Sequence, residues 1–205
     1  MNNVLLIILK KKMTNLIGTK TRENLLKAFA GESQARNRYT YFAGVARKEG
    51  YQAIASIFEE TANHEKEHAK RFFKFLEDGG ELEITATFPA GKIGTTIENL
   101  TASMNGEHEE QASMYPEFAK IAKEEGFNEI AGVFLSIAKA ETYHEERFAK
   151  LLQETEGQNL LKKNHKVLWK CTNCGYHILA ENAPLKCPAC GHDQGYFVEV
   201  DEKLF

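Results

Sequence analysis

Apolar positions recur at helical three- and four-residue spacing through most of the chain. Between Thr21 and Lys48, Leu25, Leu26, Phe29, Ala30, Tyr39, Phe42, Ala43 and Ala46 form one stripe, and Glu49-Gly50 ends it. A second stripe runs from Tyr51 to Glu77 through Ile54, Ile57, Phe58, Ala62, Phe72 and Phe73, and stops at Asp78-Gly79-Gly80. Residues 81–94 hold a β-like patch, Leu82 to Phe88, then Pro89, Gly91 and Gly94; they read as a crossover. A third helix is expected over Thr95–Glu125, opened by a capping box of Thr95 and Glu98. Pro116 inside it predicts a kink or bulge. A fourth spans Phe127 to Thr155, and Glu156-Gly157-Gln158-Asn159 leads into a different kind of sequence.

The four helices are two copies of one hairpin. A shift of 76 residues pairs Gly50 with Gly126, Ile54 with Ile130, Phe58 with Phe134, Ala62 with Ala138 and Phe72 with Phe148. It pairs Tyr39 with Tyr115 as well, and Glu65 and His68 with Glu141 and His144. Glu65-x-x-His68 and Glu141-x-x-His144 each place a carboxylate and an imidazole on one helix face. One such pair usually decorates a solvated face. Two in repeat register, with glutamates on the other two helices, form the two-metal pocket of a four-helix bundle. Oxygen-rich ligation with one imidazole per metal suits iron or manganese better than zinc or copper.

Glu32 is the candidate ligand on the first helix, seven residues before Tyr39. The strict shift maps it onto His108 rather than Glu107. Either His108 is a ligand, or the third helix carries one extra residue before Tyr115. A π-bulge would supply that residue, and π-bulges gather at functional sites. The bulge is the favoured reading; Glu107 and Glu110 could then both face the metals, with His108 at the surface or behind the ligands. Tyr39 and Tyr115 need hydrogen-bond partners if buried, and a metal-bound carboxylate is the expected acceptor. His64 and Glu67 read as exposed neighbours of the ligands.

All four cysteines lie in Cys171-x-x-Cys174 and Cys187-x-x-Cys190, separated by twelve residues. This is a tetrathiolate metal site, and it fits a reducing compartment. Spacing does not separate zinc from a single iron. Residues 160–205 carry six Lys and no Arg against five acidic residues, which argues against a nucleic-acid-binding zinc ribbon. A redox-inert zinc would also leave a di-iron site without an electron source, so iron is favoured. The net charge of −3 gives no reason to expect nucleic acid or an anionic membrane as partner. The apolar run Val4–Leu9 before Lys10-Lys11-Lys12 is too short to span a bilayer and lacks the order of a secretory signal. Residues 1–12 read as an atypical leader with no targeting role.

Together these motifs resemble the rubrerythrin family over residues 13–205. The resemblance is carried by Ala30-Gly31-Glu32-Ser33-Gln34-Ala35-Arg36-Asn37-Arg38-Tyr39, Glu65-x-x-His68, Gly106-Glu107-His108-x-Glu110 and Met114-Tyr115-Pro116. Ala140-Glu141-x-x-His144-Glu145, Trp169-Lys170-Cys171-x-x-Cys174-Gly175 and Cys187-Pro188-x-Cys190 complete it; the last part is similar to rubredoxin. It implies a mainly α protein: a ferritin-like four-helix bundle over 13–156, a hinge over 157–165 and a rubredoxin-like domain over 166–205. It implies di-iron ligands Glu32, Glu65, His68, Glu107, Glu110, Glu141 and His144, with Tyr39 and Tyr115 behind them. One iron would exchange Glu110 and His68 with redox state. A mononuclear Fe(Cys)₄ centre at Cys171, Cys174, Cys187 and Cys190 would relay electrons. The implied activity is a cytoplasmic peroxidase reducing hydrogen peroxide, supplied from reduced nicotinamide through a flavoprotein or a separate rubredoxin, in a homodimer or larger homo-oligomer. The alternatives are ferroxidase and iron storage, as in ferritins, and a structural zinc ribbon on a helical scaffold.

Overall fold

A computed structural model describes residues 15–77 and 79–200 of the chain; the leader over 1–12 lies outside them. Helix α1 spans Lys20–Lys48, α2 Gln52–Phe73, α3 Thr96–Glu109, α4 Tyr115–Glu124 and α5 Asn128–Glu156. A π-helical turn over Glu110–Met114 joins α3 to α4, so the two form one long, locally widened helix. The second helix ends four residues before the expected Glu77, and the crossover over 81–94 contains no strand.

The internal repeat is visible in backbone detail. Gly50 and Gly126 both take left-handed φ, +89° and +88°, which a side chain would strain. Each follows a matching closing turn: Tyr51 N donates to Ala46 O at 2.8 Å, and Phe127 N to Ala122 O at 2.7 Å. The hairpins also cap each other. Glu125, at the end of α4, accepts from Lys20 N and Thr21 N at 3.0 and 2.8 Å. Glu49, at the end of α1, accepts from Thr96 N at 3.1 Å. Both carboxylates thus satisfy orphan N–H groups where the helix dipole favours negative charge. The capping box expected at α3 is present, Glu98 N donating to Thr95 Oγ1 and Thr95 N to Glu98 Oε2.

Two apolar plugs fill the bundle, and the repeat exchanges them. In one, Phe72, Phe134 and Tyr115 meet with ring centroids 5.1 to 5.9 Å apart. In the other, Phe148, Phe58 and Tyr39 do so at 5.3 to 6.1 Å. All six rings are fully or almost fully buried. Each tyrosine turns its hydroxyl towards a layer of carboxylates.

After Gly157 the chain forms three strands, β1 Lys162–Cys171, β2 His177–Asn182 and β3 Phe197–Val200, in one antiparallel sheet of order β2–β1–β3. Strand β1 begins inside the stretch expected to be the hinge. Buried Trp169 anchors its small core and donates Nε1–H to Ala180 O at 3.0 Å. This unit docks on the bundle. Lys163 reaches Glu154 of α5 and Glu199 of β3, both at 3.0 Å. Gly195, in a 3₁₀ turn before β3, lies so near the Gly50 turn that a Cβ there would stand 1.7 Å from Gly50 O.

Candidate metal centres

Four helices each bring carboxylate to the layer between the plugs. Glu32 comes from α1, Glu65 from α2, Glu107 from α3 and Glu141 from α5, all buried. His68 and His144 add one imidazole each. Glu65 turns Oε2 to His68 Nδ1 at 2.9 Å and Oε1 to His144 Nδ1 at 3.2 Å. Glu141 mirrors it, Oε1 to His68 at 3.0 Å and Oε2 to His144 at 2.7 Å. Both carboxylates therefore straddle the two imidazoles, while Glu32 approaches His68 alone at 3.8 Å and Glu107 approaches His144 alone at 3.6 Å. The donors fall into two groups, Glu32-Glu65-His68-Glu141 and Glu65-Glu107-Glu141-His144, the atoms of each within 4.8 Å of one another.

The tyrosine hydroxyls cross between hairpins: Tyr39 donates to Glu107 Oε1, and Tyr115 to Glu32 Oε1. Tyr115 reaches this position because Tyr115 N donates to Glu110 O across the π-turn, absorbing the extra residue. Glu107 consequently points inward, and His108 is exposed against Glu145 at 2.9 Å. Glu110 is half-buried and belongs to neither donor group. Glu67 is exposed and paired with Lys70.

The electrostatics show what the site requires. Burial raises Glu32, and neighbouring carboxylates raise it further. Glu107 is pushed up to about 8, chiefly by burial. Burial alone would raise Glu65, but the imidazoles of His144 and His68 overcome it and hold Glu65 at about 2. Burial likewise opposes protonation of the histidines, yet the carboxylates raise His68 to about 10 and His144 to about 12. In the metal-free protein, therefore, protons on the imidazoles supply positive charge. Even so, Glu32 Oε2 and Glu107 Oε2 have no hydrogen-bond partner. Buried anions left this way are costly without cations, and hard oxygen donors with one imidazole apiece fit two iron-type ions.

At the C-terminal unit the two knuckles are superimposable in their bonding. Gly175 N donates to Cys171 O and Gly191 N to Cys187 O, both at 2.8 Å. Sulfur separations are 3.8 Å for Cys171–Cys190 and 3.6 Å for Cys174–Cys187. A tetrahedron with metal–sulfur bonds near ~2.3 Å has edges of about this length. The His192 backbone N–H lowers the Cys190 thiol to about 6, favouring thiolate.

One reading is corrected: His64, expected as an exposed neighbour of the ligands, is half-buried beside the centre, its Nδ1 3.1 Å from His144 Nε2. The repeat places Ala140 at the equivalent position, so symmetry gave no hint of it.

A helical bundle with a carboxylate–imidazole layer, followed by a tetrathiolate sheet unit, defines a ferritin-like di-iron protein fused to a rubredoxin-like domain. Family models agree: "Rubrerythrin" matches residues 23–152 and "Rubrerythrin, rubredoxin-like domain" matches 169–198. The chain belongs to the rubrerythrin family. It is 59% identical over 180 residues to a rubrerythrin of Porphyromonas gingivalis, covering 88% of this chain and 90% of that one. It is 55% identical over 188 residues to one of Clostridium perfringens, covering 90% and 96%. Among solved structures, fully reduced nigerythrin matches with a TM-score of 0.60 at 32% identity, covering 93% and 96%. The family's di-iron carboxylate site and four-cysteine cluster are thus both present in this chain.

Proposed function

We propose that this protein is a peroxidase reducing hydrogen peroxide to water, with electrons arriving through the cysteine centre. The observation that carries the reading is Glu65 and Glu141, each offering one oxygen to either side of a buried site. In this reading Glu32, Glu65, His68 and Glu141 hold one iron, and Glu65, Glu107, Glu141 and His144 the other. Glu110 is the alternative to His68. The irons, when bound, would supply two electrons and Lewis acidity towards the departing oxygens. Peroxide gains two electrons and two protons, its O–O bond breaks, and two waters leave.

The chain's own residues hold the reacting region in place. Tyr39 and Tyr115 fix the unshared carboxylates Glu107 and Glu32 by hydrogen bonds from the opposite hairpin. The Phe72 and Phe148 plugs close the layer above and below with apolar rings. Cys171, Cys174, Cys187 and Cys190 would hold the relay iron in one geometry through both oxidation states.

The relay need not lie within one chain. The C-terminal unit docks beside Gly50, whereas Glu65 lies 13 residues along α2 from Gln52, about 20 Å at helical rise. A homodimer that places one chain's cysteine centre near its partner's carboxylates would shorten that path. The donor would be a flavoprotein reductase or a separate rubredoxin, in the reducing cytoplasm that such a thiolate site suits. Among the described residues no helix is long and apolar enough to cross a membrane.

The test is anaerobic reduction followed by stoichiometric hydrogen peroxide, with both iron chromophores observed. Rapid reoxidation of the cysteine-bound iron is expected, and its loss in Glu65→Ala and Glu141→Ala. Unchanged reoxidation in both variants would sink the peroxidase reading. Slow turnover of peroxide, with iron retained in a large shell on gel filtration, would favour ferroxidase and storage instead.

A further inference from the structure

The two imidazoles of the carboxylate layer are related by the repeat, but what stands behind them is not. His144 Nδ1 faces Glu65, Glu107 and Glu141, so its Nε2 faces away from the layer. There it meets His64 Nδ1 at 3.1 Å, with the two rings within 8° of parallel. That separation is shorter than the about 3.5 Å at which stacked rings touch. The rings therefore meet edge to edge, in a hydrogen bond.

His64 is itself supported. Its Nε2 lies 3.9 Å from Glu60 Oε1, one turn earlier on α2. Glu60 Oε2 receives Arg147 Nη1 at 3.2 Å. Arg147, three residues beyond His144 on α5, is anchored by Nη2 to Thr61 Oγ1 at 2.8 Å and to Ile57 O at 3.3 Å. The chain Arg147–Glu60–His64–His144 thus begins and ends on α5 and passes through α2. His68 has nothing comparable: among the described residues no hydrogen bond is made to its Nε2, only to its Nδ1.

We propose that His64 is a positioning residue for the buried metal site, holding His144 as its fixed imidazole. A metal on Nδ1 requires the proton of neutral His144 to sit on Nε2, and His64 Nδ1 is the acceptor for it. The tautomer and the ring orientation are then set together, as outer partners of metal-bound histidines generally do. His68, without such a partner, is left as the imidazole able to leave its metal. The inference rests on the assignment of the two donor groups as ligand sets.

Anaerobic cobalt(II) titration separates the possibilities, because the cobalt taken by the cysteines is marked by sulfur-to-metal absorption. The wild type is expected to take up two further ions. His64→Leu should weaken one of these by roughly ten- to a hundredfold and leave the other within about twofold. His64→Gln, whose amide oxygen can accept the same proton, should recover most of the loss. In the zinc-loaded protein, the His144 Nε2–H should give a slowly exchanging proton resonance in wild type and His64→Gln but not in His64→Leu. The proposal is overturned if both ions weaken equally, if neither does, or if Gln fares no better than Leu. Thermal melts of the metal-free variants identify general loosening, which would weaken both ions. Uptake of fewer than two further ions by the wild type overturns the ligand assignment, and this proposal with it.

Discussion

Single residues divide here by whether their partner lies within their own hairpin. Glu65 and His68 recognise each other three residues apart, and so do Glu141 and His144, which is why sequence spacing found them. Tyr39 and Tyr115 could be paired with each other by the repeat, yet their acceptors lie on the opposite hairpin, 68 and 83 residues away. Tyr39→Phe should lower affinity for the metal ion beside Glu107 about tenfold, measured by anaerobic iron(II) titration, with little change in helix content. The metal-free protein should also respond to pH with a definite sign. Glu107 at about 8 and His68 at about 10 both bind their protons more tightly when folded. The stability they lend is present at low pH and lost as pH rises through those values. Glu65 at about 2 acts oppositely, its contribution lost only as pH falls through that value. Metal-free protein should therefore melt at a lower temperature near about pH 9 than near about pH 6.5. Iron loading should narrow the gap, because cations then replace the protons.

Elements bring in what residue pairs cannot. The mismatch between Glu32 and His108 under the repeat called for one extra residue, and the π-turn over Glu110–Met114 contains it. Deleting Ala112 should restore a regular helix with Glu107 seven residues before the tyrosine, the spacing of Glu32 and Tyr39, so that Tyr115 keeps its bond to Glu32. The expected result is a folded bundle by circular dichroism that still binds two ions in the carboxylate layer; loss of an ion would show that the extra residue does more than hold register. The reciprocal caps were not legible, because nothing in the local sequence of Glu49 or Glu125 names a helix N-terminus 47 residues later or 104 residues earlier. Glu125→Ala should remove the caps at Lys20 and Thr21 and cost about 1 kcal/mol. That would lower the melting temperature by about 2–4 °C, as a calorimetric scan would record. His64 belongs to the same class: its role depends on the angle at which α2 meets α5, and spacing along α2 alone assigned it to the surface.

At the scale of the whole molecule, the sequence divided bundle from cysteine unit but did not indicate how they meet. The pattern of α1 to α5 and the knuckles at Cys171 and Cys187 are local, and periodicity exposes them. The seat of Gly195 against Gly50 is a contact between segments 145 residues apart, and a lone glycine in a turn carries no mark of its neighbour. Gly195→Leu should force the units apart while leaving both metal sites intact. Faster proteolysis between Gly157 and Leu161 would report this, with the cysteine-iron absorption unchanged; an unchanged cleavage rate would argue that the junction does not depend on this contact.

Lys163 completes that junction by holding Glu154 of the last helix and Glu199 of the last strand at once. Its consequence concerns rotational diffusion. Backbone relaxation in the sheet unit should have the same correlation time as in the helices, as for one rigid particle rather than two on a tether. The orientation of the cysteine centre would then be set by the tumbling of the whole particle, and an approaching electron donor would meet a target already aimed.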